Sequence, residues 1–423
     1  MSSPVAAARL APAEEFIARA PALAPLICRL CGAPHEAAAL ATCPECLGPL
    51  EPQYDPARRL PTRAEIEGRP RSIWRYREWL PILDAPTVST DTGFTPLIEA
   101  PALARALGVR RALVKNDAVS HPTLSFKDRV VAVALNAAVL LGLDTVGCAS
   151  TGNLANAVAA QAARAGLTSW IFVPEDLELG KIVGTAIYGP NLVRVRGTYD
   201  DVNRLCAQVA DRFGWGLVNL NLRSYYGEGS KTVAYEIVEQ LGWRLPGAVI
   251  APMAGGSLLT KIDKGFAELA KAGLAEGPRP RMFGAQAAGC SPIVNFVHRG
   301  GDTIEPVVPR TIARSIAIGN PADGRFAAQA IRSSGGDAAA VTDEELVRGI
   351  TLLAETTGIF TETAGGVTVA AAKKLVAEGK LGQDDELVLC ITGNGLKTVE
   401  AVQPVLKAAP LINPKLKEVA ALV

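Results

Sequence analysis

The chain has 423 residues, of which 49% are hydrophobic and 20% are charged, and its formal net charge is +1. This composition excludes global disorder, and the balance of 43 basic against 42 acidic residues disfavours binding to nucleic acid or to an anionic membrane surface. At about 150 residues per domain, the length predicts two or three domains.

The N-terminal 90 residues divide by composition into three segments. Residues 1–25 are rich in Ala and Pro and are interpreted as an arm. Residues 26–54 hold four of the eight cysteines, and residues 55–90 mix prolines, arginines and three aromatic residues. We interpret 55–90 as a linker with one short helix that packs on the main body.

Two C-x-x-C pairs within 26–54 predict a metal site. The pairs are Cys28 with Cys31 and Cys43 with Cys46, separated by eleven residues. Four thiolates at this spacing surround one zinc ion tetrahedrally, and a site closed by four protein ligands is structural rather than catalytic. Two redox pairs or four buried thiols are the alternatives. His35 lies between the pairs and is interpreted as a loop residue rather than a fifth ligand.

From about residue 91 onward, short apolar strands alternate with longer helices. Strands are predicted over 112–116, 145–149, 169–173, 192–196, 216–220, 247–251, 281–286 and 386–391. Helices are predicted over 126–141, 153–165, 178–187, 199–212, 228–241, 257–271, 343–356 and 365–378. This alternation predicts an α/β fold with parallel sheets, which bind ligands beyond the carboxyl ends of their strands.

The segment SFKDR at 125–129 places a lysine at the start of an apolar helix. Ser125 is predicted to cap that helix, and Asp128 with Arg129 is interpreted as a local ion pair. The positive end of the helix and desolvation by Phe126 both favour the uncharged amine of Lys127, which is the form that reacts with an aldehyde. The alternative is a lysine whose side chain reaches water.

Three further strand ends carry small or polar residues. The stretch 148–158 presents hydroxyls, amides and a carboxamide at a helix N-terminus, which is typical of an anion site; these residues are Ser150, Thr151, Gly152 and Asn153. The stretch 251–261 has the same form, with backbone N–H groups able to hold a phosphate; its residues are Ala254, Gly255, Gly256, Ser257 and Leu258. Thr392 ends the last strand. An aldehyde, a phosphate and a ring nitrogen would use all of these groups, and pyridoxal 5′-phosphate (PLP) combines them.

The order of SFKDR, STGN, the small-residue loop and TGNGLK resembles fold-type II PLP-dependent enzymes, and most closely the threonine synthases. The segments GFTPL (93–97), EGSKTVAYEI (228–237) and AQAAGCSP (285–292) add to a resemblance over about 91–400. It implies an α/β fold like that of tryptophan synthase β, with two doubly wound αβα domains, the cofactor between them and an N-terminal zinc ribbon.

The same resemblance implies domain boundaries. A smaller domain of about 126–240 would be inserted in a larger domain of 91–125 and 241–423. The catalytic region would therefore span 91–423, after the arm, the ribbon and the linker.

The resemblance also implies a role for each motif residue. Lys127 would form the Schiff base with PLP and move protons, Phe126 would lie against the ring, and Asn153 would contact the phenolic oxygen. Thr392 would meet the ring nitrogen, and the 254–258 loop would hold the cofactor phosphate. Substrate would be held by Ser150, Thr151, Gly152, Arg223 and Lys231.

The activity implied is that of a carbon–oxygen lyase converting O-phospho-L-homoserine and water to L-threonine and phosphate. The substrate is thus a small amino-acid phosphate, and a homodimer is expected. The chain departs from the family pattern at the 254–258 loop, at Leu154, and at Tyr226, where an arginine for the substrate phosphate is expected. A threonine or serine dehydratase, or a β-replacement enzyme such as cysteate synthase acting on O-phosphoserine, is the alternative. A non-catalytic zinc-ribbon binding module is a second one.

No transmembrane segment or secretory signal is predicted. The longest apolar stretches, such as 130–141, are shorter than the ~20 residues that span a bilayer. The N-terminus lacks a basic start, and Glu14 and Glu15 interrupt any apolar run. We therefore expect a cytoplasmic protein with reduced cysteines.

Overall fold

The computed structural model describes residues 22–150, 152–175, 177–197 and 199–422. Most of the predicted arm and Thr151 lie outside these residues. In chain order the strands are β1 Leu26–Cys28, β2 Pro34–His35, β3 Leu50–Pro52, β4 Leu97–Glu99, β5 Arg111–Asn116, β6 Thr145–Ala149, β7 Thr168–Pro174, β8 Asn191–Val195, β9 Gly216–Leu217, β10 Ala248–Pro252, β11 Arg281–Ala287, β12 Ala338–Val341 and β13 Glu386–Ile391.

The α-helices connect these strands. In chain order they are α1 Arg63–Glu67, α2 Pro101–Leu107, α3 Lys127–Leu140, α4 Asn153–Ala165, α5 Leu179–Ala186, α6 Tyr199–Phe213, α7 Arg223–Glu228, α8 Thr232–Gln240, α9 Ser257–Lys271, α10 Pro292–Arg299, α11 Gly324–Ser333, α12 Asp343–Thr357, α13 Thr363–Ala377 and α14 Leu416–Ala420. No helix in the described ranges is both long enough and apolar enough to cross a bilayer.

Two sheets form the main body, as the α/β prediction requires. The larger sheet has six strands in the order β12-β11-β10-β13-β5-β4, parallel except for β4 at its edge. The smaller sheet has four parallel strands in the order β8-β7-β6-β9. All strands of the smaller sheet lie within the predicted insertion of 126–240, whose boundaries stay a prediction.

Helix α3 lies inside the molecule rather than on its surface. Its residues 128–138 are all buried, including Asp128, Arg129 and Asn136. A helix that is apolar on every side packs on several neighbours, and α3 packs on α4 and α7. This explains why an unbroken apolar run follows Lys127.

The N-terminal segments pack tightly on the body. Strands β2-β1-β3 form a small antiparallel sheet that carries the cysteine pairs. Residues Ile73–Trp79 form a 3₁₀ helix, and the rings of Tyr76 and Trp79 lie 5.3 and 5.9 Å from that of Tyr235. The segment 55–90 thus contributes to the core, and it holds this 3₁₀ helix besides the one short helix expected.

Some predicted elements differ from the structure. The strand predicted over 216–220 ends at Leu217, because side-chain amides take over its pairing: Asn219 Oδ1 accepts from the Ala149 N–H (3.2 Å) and Asn221 Oδ1 from the Leu217 N–H (2.7 Å). The helix predicted over 228–241 begins at Arg223 and crosses a 3₁₀ turn before α8. Strands β4 and β12 and helices α2, α10 and α11 were not predicted.

The 3₁₀ turn exists because the chain passes very close to α3. A Cβ atom on Gly229 would stand 2.7 Å from the carbonyl oxygen of Arg129. Only glycine permits this approach, which brings α7 beside the start of α3.

Candidate active site

A cavity of about 380 Å³, termed here the inner cavity, lies between the two sheets. It opens where strands of both sheets end, at Ser150 after β6, Leu220 after β9, Ala254 after β10 and Thr392 after β13. This is the position at which parallel α/β sheets bind ligands. Predicted site residues that line it are Phe126, Lys127, Ser150, Asn153, Arg223, Ala254, Gly255, Gly256, Ser257, Leu258 and Thr392.

Backbone pairing fixes the start of α3 against the end of β13. The Phe126 N–H donates to the Thr392 carbonyl at 3.0 Å, and the Asn394 N–H donates to the Leu124 carbonyl at 3.1 Å. The two motifs that resembled a family are therefore hydrogen-bonded to each other. Lys127 projects from this junction into the inner cavity.

The Lys127 side chain is held by an uncharged partner. Its Nζ lies 2.6 Å from the Tyr226 hydroxyl and 4.7 Å from the centre of the Phe126 ring. Burial lowers the pKa of Lys127 to about 8, although the nearby Tyr199 and Glu362 oppose this effect. Burial raises the pKa of Tyr226 above its ordinary value, so its hydroxyl stays neutral. Lys127 therefore has a substantial uncharged fraction near neutral pH.

The rate at which PLP reacts with the cofactor-free protein should rise as the pH increases through about 8. The uncharged amine is the reactive form, and its fraction falls about tenfold per pH unit below the pKa. Stopped-flow absorbance at a series of pH values measures this rate. A profile centred near 10.5, the ordinary value for lysine, would contradict the prediction.

The predicted cap and local ion pair at α3 are corrected. The Ser125 hydroxyl is buried without a hydrogen-bond partner among the described residues, and helical geometry begins at Phe126. Arg129 turns away from Asp128 and pairs with Asp117 and Glu236. The Asp128 carboxylate instead accepts from the Thr123 N–H and hydroxyl. These partners lie upstream of the helix or far away in the sequence. The adjacency of Asp128 and Arg129 therefore did not predict the contacts that either residue makes.

A buried ionic network supports Lys127 from behind. The Arg129 side chain is fully buried between Asp117 and Glu236, and Lys115 Nζ lies 2.6 Å from Glu236. Burial opposes ionisation of Glu236, but Arg129 and Lys115 lower its pKa to about 2. The network joins α3, β5 and α8 and fixes the helix that presents the lysine.

Asn153 is held by two charged residues. Its Nδ2 donates to both carboxylate oxygens of Glu362 at 2.8 Å, and its Oδ1 accepts from Lys397 Nζ at 3.2 Å. Glu362 is 1% exposed and lines the inner cavity. The carboxamide is therefore oriented in advance, and its contact with a cofactor stays a prediction.

Two residues of the predicted substrate-binding turn make contacts that stabilise the fold. The Ser150 hydroxyl accepts from the Gly152 and Ala155 N–H groups, each at 3.0 Å, and so caps α4. Gly152 has φ of +135°, and a Cβ there would stand 2.2 Å from Lys181 Cδ. Gly152 packs on Lys181 and does not line the inner cavity. Thr151 stands outside the described residues.

The loop 254–258 has the form of a phosphate cradle. It joins β10 to α9, whose first-turn N–H groups have no intrahelical acceptors. Gly255 has open space where a Cβ would stand, and Gly256 has φ of +94°. Across the cavity, the Ser315 hydroxyl is buried and has no hydrogen-bond partner within the described ranges. These unused polar groups fit a phosphorylated, polar cofactor such as PLP.

The structure places Lys231 apart from the other predicted substrate residues that line the inner cavity. Lys231 is fully buried outside the inner cavity, where its Nζ lies 2.7 Å from Glu228 and 3.0 Å from Glu268. Lys261 pairs with Glu228 at 2.5 Å. These contacts hold Lys231 between two carboxylates in the core, and its contact with substrate stays a prediction.

This buried cluster extends to the N-terminal sheet. The Tyr54 hydroxyl donates to Glu228 at 2.6 Å, and Glu51 of β3 lies 2.9 Å from Lys264 Nζ and 3.4 Å from Lys261 Nζ. Burial disfavours a charged Glu228, yet the surrounding lysines lower its pKa well below the ordinary value. The cluster therefore connects β3 with α9.

The four predicted metal ligands come together. Their sulfur atoms all lie within 4.8 Å of one another, with Cys28 3.5 Å from Cys46 and Cys31 3.8 Å from Cys43. His35 Nε2 lies 3.4 Å from Cys43 Sγ. Four convergent sulfurs without a disulfide are the donor set that zinc prefers.

Several residues of the inner cavity were not among the predicted site residues. Those with ionisable or hydroxyl groups include Tyr226, Glu362, Asp323 and Ser315. Tyr226 carried a usable signal, because it follows Arg223 by three residues and shares its helix face. The others lie in loops or at helix starts, where acidic and hydroxyl residues are common, so no sequence pattern marked them.

Fold and cavity together define a PLP-dependent enzyme. A family model described as pyridoxal-phosphate dependent enzyme matches residues 88–393. Maize serine racemase (TM-score 0.60, 72% of this chain and 90% of that one) and the processed threonine deaminase isoform 2 of Solanum lycopersicum (TM-score 0.62, 74% and 84%) share the fold at 21% identity.

Sequence relatives are more specific. The threonine synthase of Methanocaldococcus jannaschii is 40% identical over 379 residues, covering 88% of this chain and 93% of the relative. The threonine synthase of Methanosarcina acetivorans is 35% identical over 391 residues, covering 92% and 96%. The chain belongs to the threonine synthase family.

Proposed function

We propose that the chain is a threonine synthase that converts O-phospho-L-homoserine and water to L-threonine and phosphate. The observation that carries the proposal is the partly neutral amine of Lys127, which faces the same cavity as Asn153, the 254–258 loop and Thr392. Identity of 35–40% to threonine synthases over most of the chain supports it.

Each residue has a task in this proposal. Bound PLP supplies an electron-withdrawing ring that makes the substrate's α and β protons acidic. The Lys127 amine accepts and returns these protons, because its pKa of about 8 lies near the working pH. The Tyr226 hydroxyl positions Nζ at 2.6 Å. Arg223 pairs with the substrate phosphate as it leaves.

Other groups hold the cofactor. The amides of 254–258 bind its phosphate, and Phe126 lies against the ring. Asn153 contacts the phenolic oxygen. The Thr392 hydroxyl would meet the ring nitrogen, and a hydroxyl, unlike a carboxylate, would not stabilise an added proton there. Ser150 and Thr151 receive the substrate carboxylate.

Product analysis tests the proposed reaction. PLP-loaded protein is incubated separately with O-phospho-L-homoserine, O-phosphoserine and threonine, and phosphate, threonine and 2-oxobutyrate are measured. We expect equal amounts of phosphate and threonine from O-phospho-L-homoserine. Formation of 2-oxobutyrate from threonine without use of O-phospho-L-homoserine would identify a dehydratase instead, and use of O-phosphoserine alone would identify a β-replacement enzyme.

We also propose that Cys28, Cys31, Cys43 and Cys46 bind a structural zinc ion. Replacing Cys43, which is fully buried, with serine should remove most of the zinc and lower the melting temperature. Metal analysis of the purified wild type should give about one zinc ion per chain. Cys206→Ser, a buried cysteine outside the site, is the control and should retain the metal. Equal zinc in both variants would contradict the assignment.

A cytoplasmic homodimer completes the proposal. All eight cysteines are free, as is usual in a reducing compartment. The C-terminal segment exposes several large apolar side chains, which favours burial against a second copy; these are Leu406, Leu411, Leu416 and Leu422. Sedimentation equilibrium of the full chain measures its state of association, and a monomer at all concentrations would exclude the dimer.

A further inference from the structure

The inner cavity shares a wall with a second, larger cavity. This outer cavity of about 880 Å³ lies between the N-terminal sheet and α11, with Arg29, Leu47 and Phe326 among its lining residues. The residues common to both cavities are Arg223, Ser257, Ala322 and Asp323. A substrate that passes from the outer to the inner cavity therefore meets these four residues.

The charged pair in this wall joins two parts of the molecule. Arg223 begins α7 and Asp323 immediately precedes α11, and the guanidinium of Arg223 donates to the Asp323 carboxylate. The Asp323 side chain is 10% exposed and that of Arg223 is 35% exposed. No second acceptor for Arg223 is found in the part of the chain that the structure describes. Its remaining N–H groups are thus available to a ligand.

Asp323 is the fixed member of the pair. Its backbone N–H donates to the Gly255 carbonyl at 2.9 Å, and a Cβ on Gly256 would stand 3.0 Å from its carbonyl oxygen. The residue is thereby built into the support of the 254–258 loop. Arg223 has a long, more exposed side chain and can turn toward an incoming anion while Asp323 stays in place.

The charges of the inner cavity single out Arg223. Its lining includes two cationic side chains, Lys127 and Arg223. Lys127 is committed to the cofactor in the proposed function, and Tyr226, where the family pattern has an arginine, is uncharged. Arg223 is consequently the cation left for a substrate phosphate, and its present counter-ion is Asp323.

We propose that Asp323 is a specificity-determining residue whose carboxylate occupies Arg223 until a phosphate dianion displaces it. The inference rests on the proposed function insofar as the anion is the phosphate of the substrate. A neutral amino acid cannot displace the carboxylate, so the exchange favours phosphorylated substrates over unphosphorylated ones. The affinity for phosphate is set by the competition between the two anions for one guanidinium.

Calorimetric titration of the PLP-loaded protein with inorganic phosphate tests the exchange without turnover. Asp323→Asn should lower the Kd for phosphate about tenfold, the effect of removing one competing charge-assisted hydrogen bond. Arg223→Gln should raise it at least about tenfold, for the corresponding reason. In the Arg223→Gln background, adding Asp323→Asn should not change the Kd for phosphate further, because the guanidinium for which the carboxylate competes is absent. Asp91→Asn, which removes a carboxylate paired with Arg164 that lines neither cavity, should leave the Kd unchanged.

The results separate this proposal from the proposed function. The KM for O-phospho-L-homoserine should fall in Asp323→Asn together with the Kd for phosphate. If the wild type does not turn over this substrate but the Kd values change as described, the exchange stands and the substrate assignment fails. An unchanged or raised Kd in Asp323→Asn, or the same change in the Arg223→Gln background, would overturn the exchange. Failure of both Asp323→Asn and Asp323→Ala to fold would overturn it too, since an exchangeable partner is dispensable to the fold.

Discussion

Replacing Lys127 with alanine should lower threonine formation by at least about 10³-fold, since proton transfer by a positioned side chain alone contributes roughly 10²–10⁴-fold. The same substitution should remove the visible absorbance band of the bound cofactor, because the amine that binds the aldehyde is gone. Both effects follow from one atom, the Nζ that lies 2.6 Å from Tyr226 at the wall of the inner cavity. Absorbance spectra and a phosphate-release assay measure them.

The control for this substitution is Lys373→Ala, which removes an exposed lysine on α13. It should leave both the spectrum and the activity unchanged. Circular dichroism should show that Lys127→Ala retains its secondary structure, since Lys127 has no ion-pair partner in the described part of the chain. A Lys127→Ala protein that keeps the absorbance band and the activity would refute the assignment of the cofactor lysine.

Replacing Arg129 with methionine should reduce the free energy of unfolding by about 3–5 kcal/mol, the range for removing one partner of a buried ion pair. Arg129 is fully buried, and its loss leaves Asp117 without its cation and Glu236 with Lys115 alone. Methionine keeps much of the side-chain volume, so the expected loss comes from the uncompensated charge. Urea unfolding followed by circular dichroism measures the change.

The matched control is Arg204→Ala, which breaks an exposed pair with Asp201 three residues away on α6. Such a pair contributes about 0–1 kcal/mol, so the two variants should differ clearly. The Glu236 pKa of about 2, against an ordinary value of 4.5, gives a second test. The stabilisation from ionised Glu236 is present above pH 4.5 and is lost as the pH falls through 2. The free energy of unfolding should therefore differ less between neutral and acid pH in Arg129→Met than in the wild type. An Arg129→Met protein as stable as the wild type would contradict this account.

The sequence predicted the parts of the site that are encoded locally. Lys127, Asn153, the 254–258 loop and Thr392 each follow or begin an element with a clear apolar pattern, and parallel strands bring such ends to one edge. The sulfur cluster could equally be predicted from the sequence, because the spacing within each cysteine pair restricts where its sulfur atoms can lie. For these groups a short stretch of chain contains nearly all the information.

The parts that escaped prediction depend on contacts between distant segments. Asn153 and Glu362 are 209 positions apart, and Arg223 and Asp323 are 100 apart. The sequence around Glu362 does not mark it as a partner of Asn153, and the sequence around Asp323 does not mark it as a partner of Arg223. The ion pair of Lys231 escaped prediction for the same reason, since its partner Glu268 lies on α9, outside the motif that contains Lys231. β12 was missed because AAAV lacks the β-branched run that marks a strand.

The cluster around Glu228 has a consequence for how this chain can be recombined with its relatives. Glu51 and Tyr54 belong to the N-terminal part of the chain. The Glu51 carboxylate pairs with Lys264 of α9, and the Tyr54 hydroxyl donates to Glu228 at the end of α7. A chimera that exchanged residues 26–54 without these two side chains would remove the Tyr54 hydrogen bond to Glu228 and the Glu51 carboxylate that pairs with Lys264 and Lys261. The cysteine-bearing segment is therefore not independent of the body, and a functional exchange must replace both sides of this contact together.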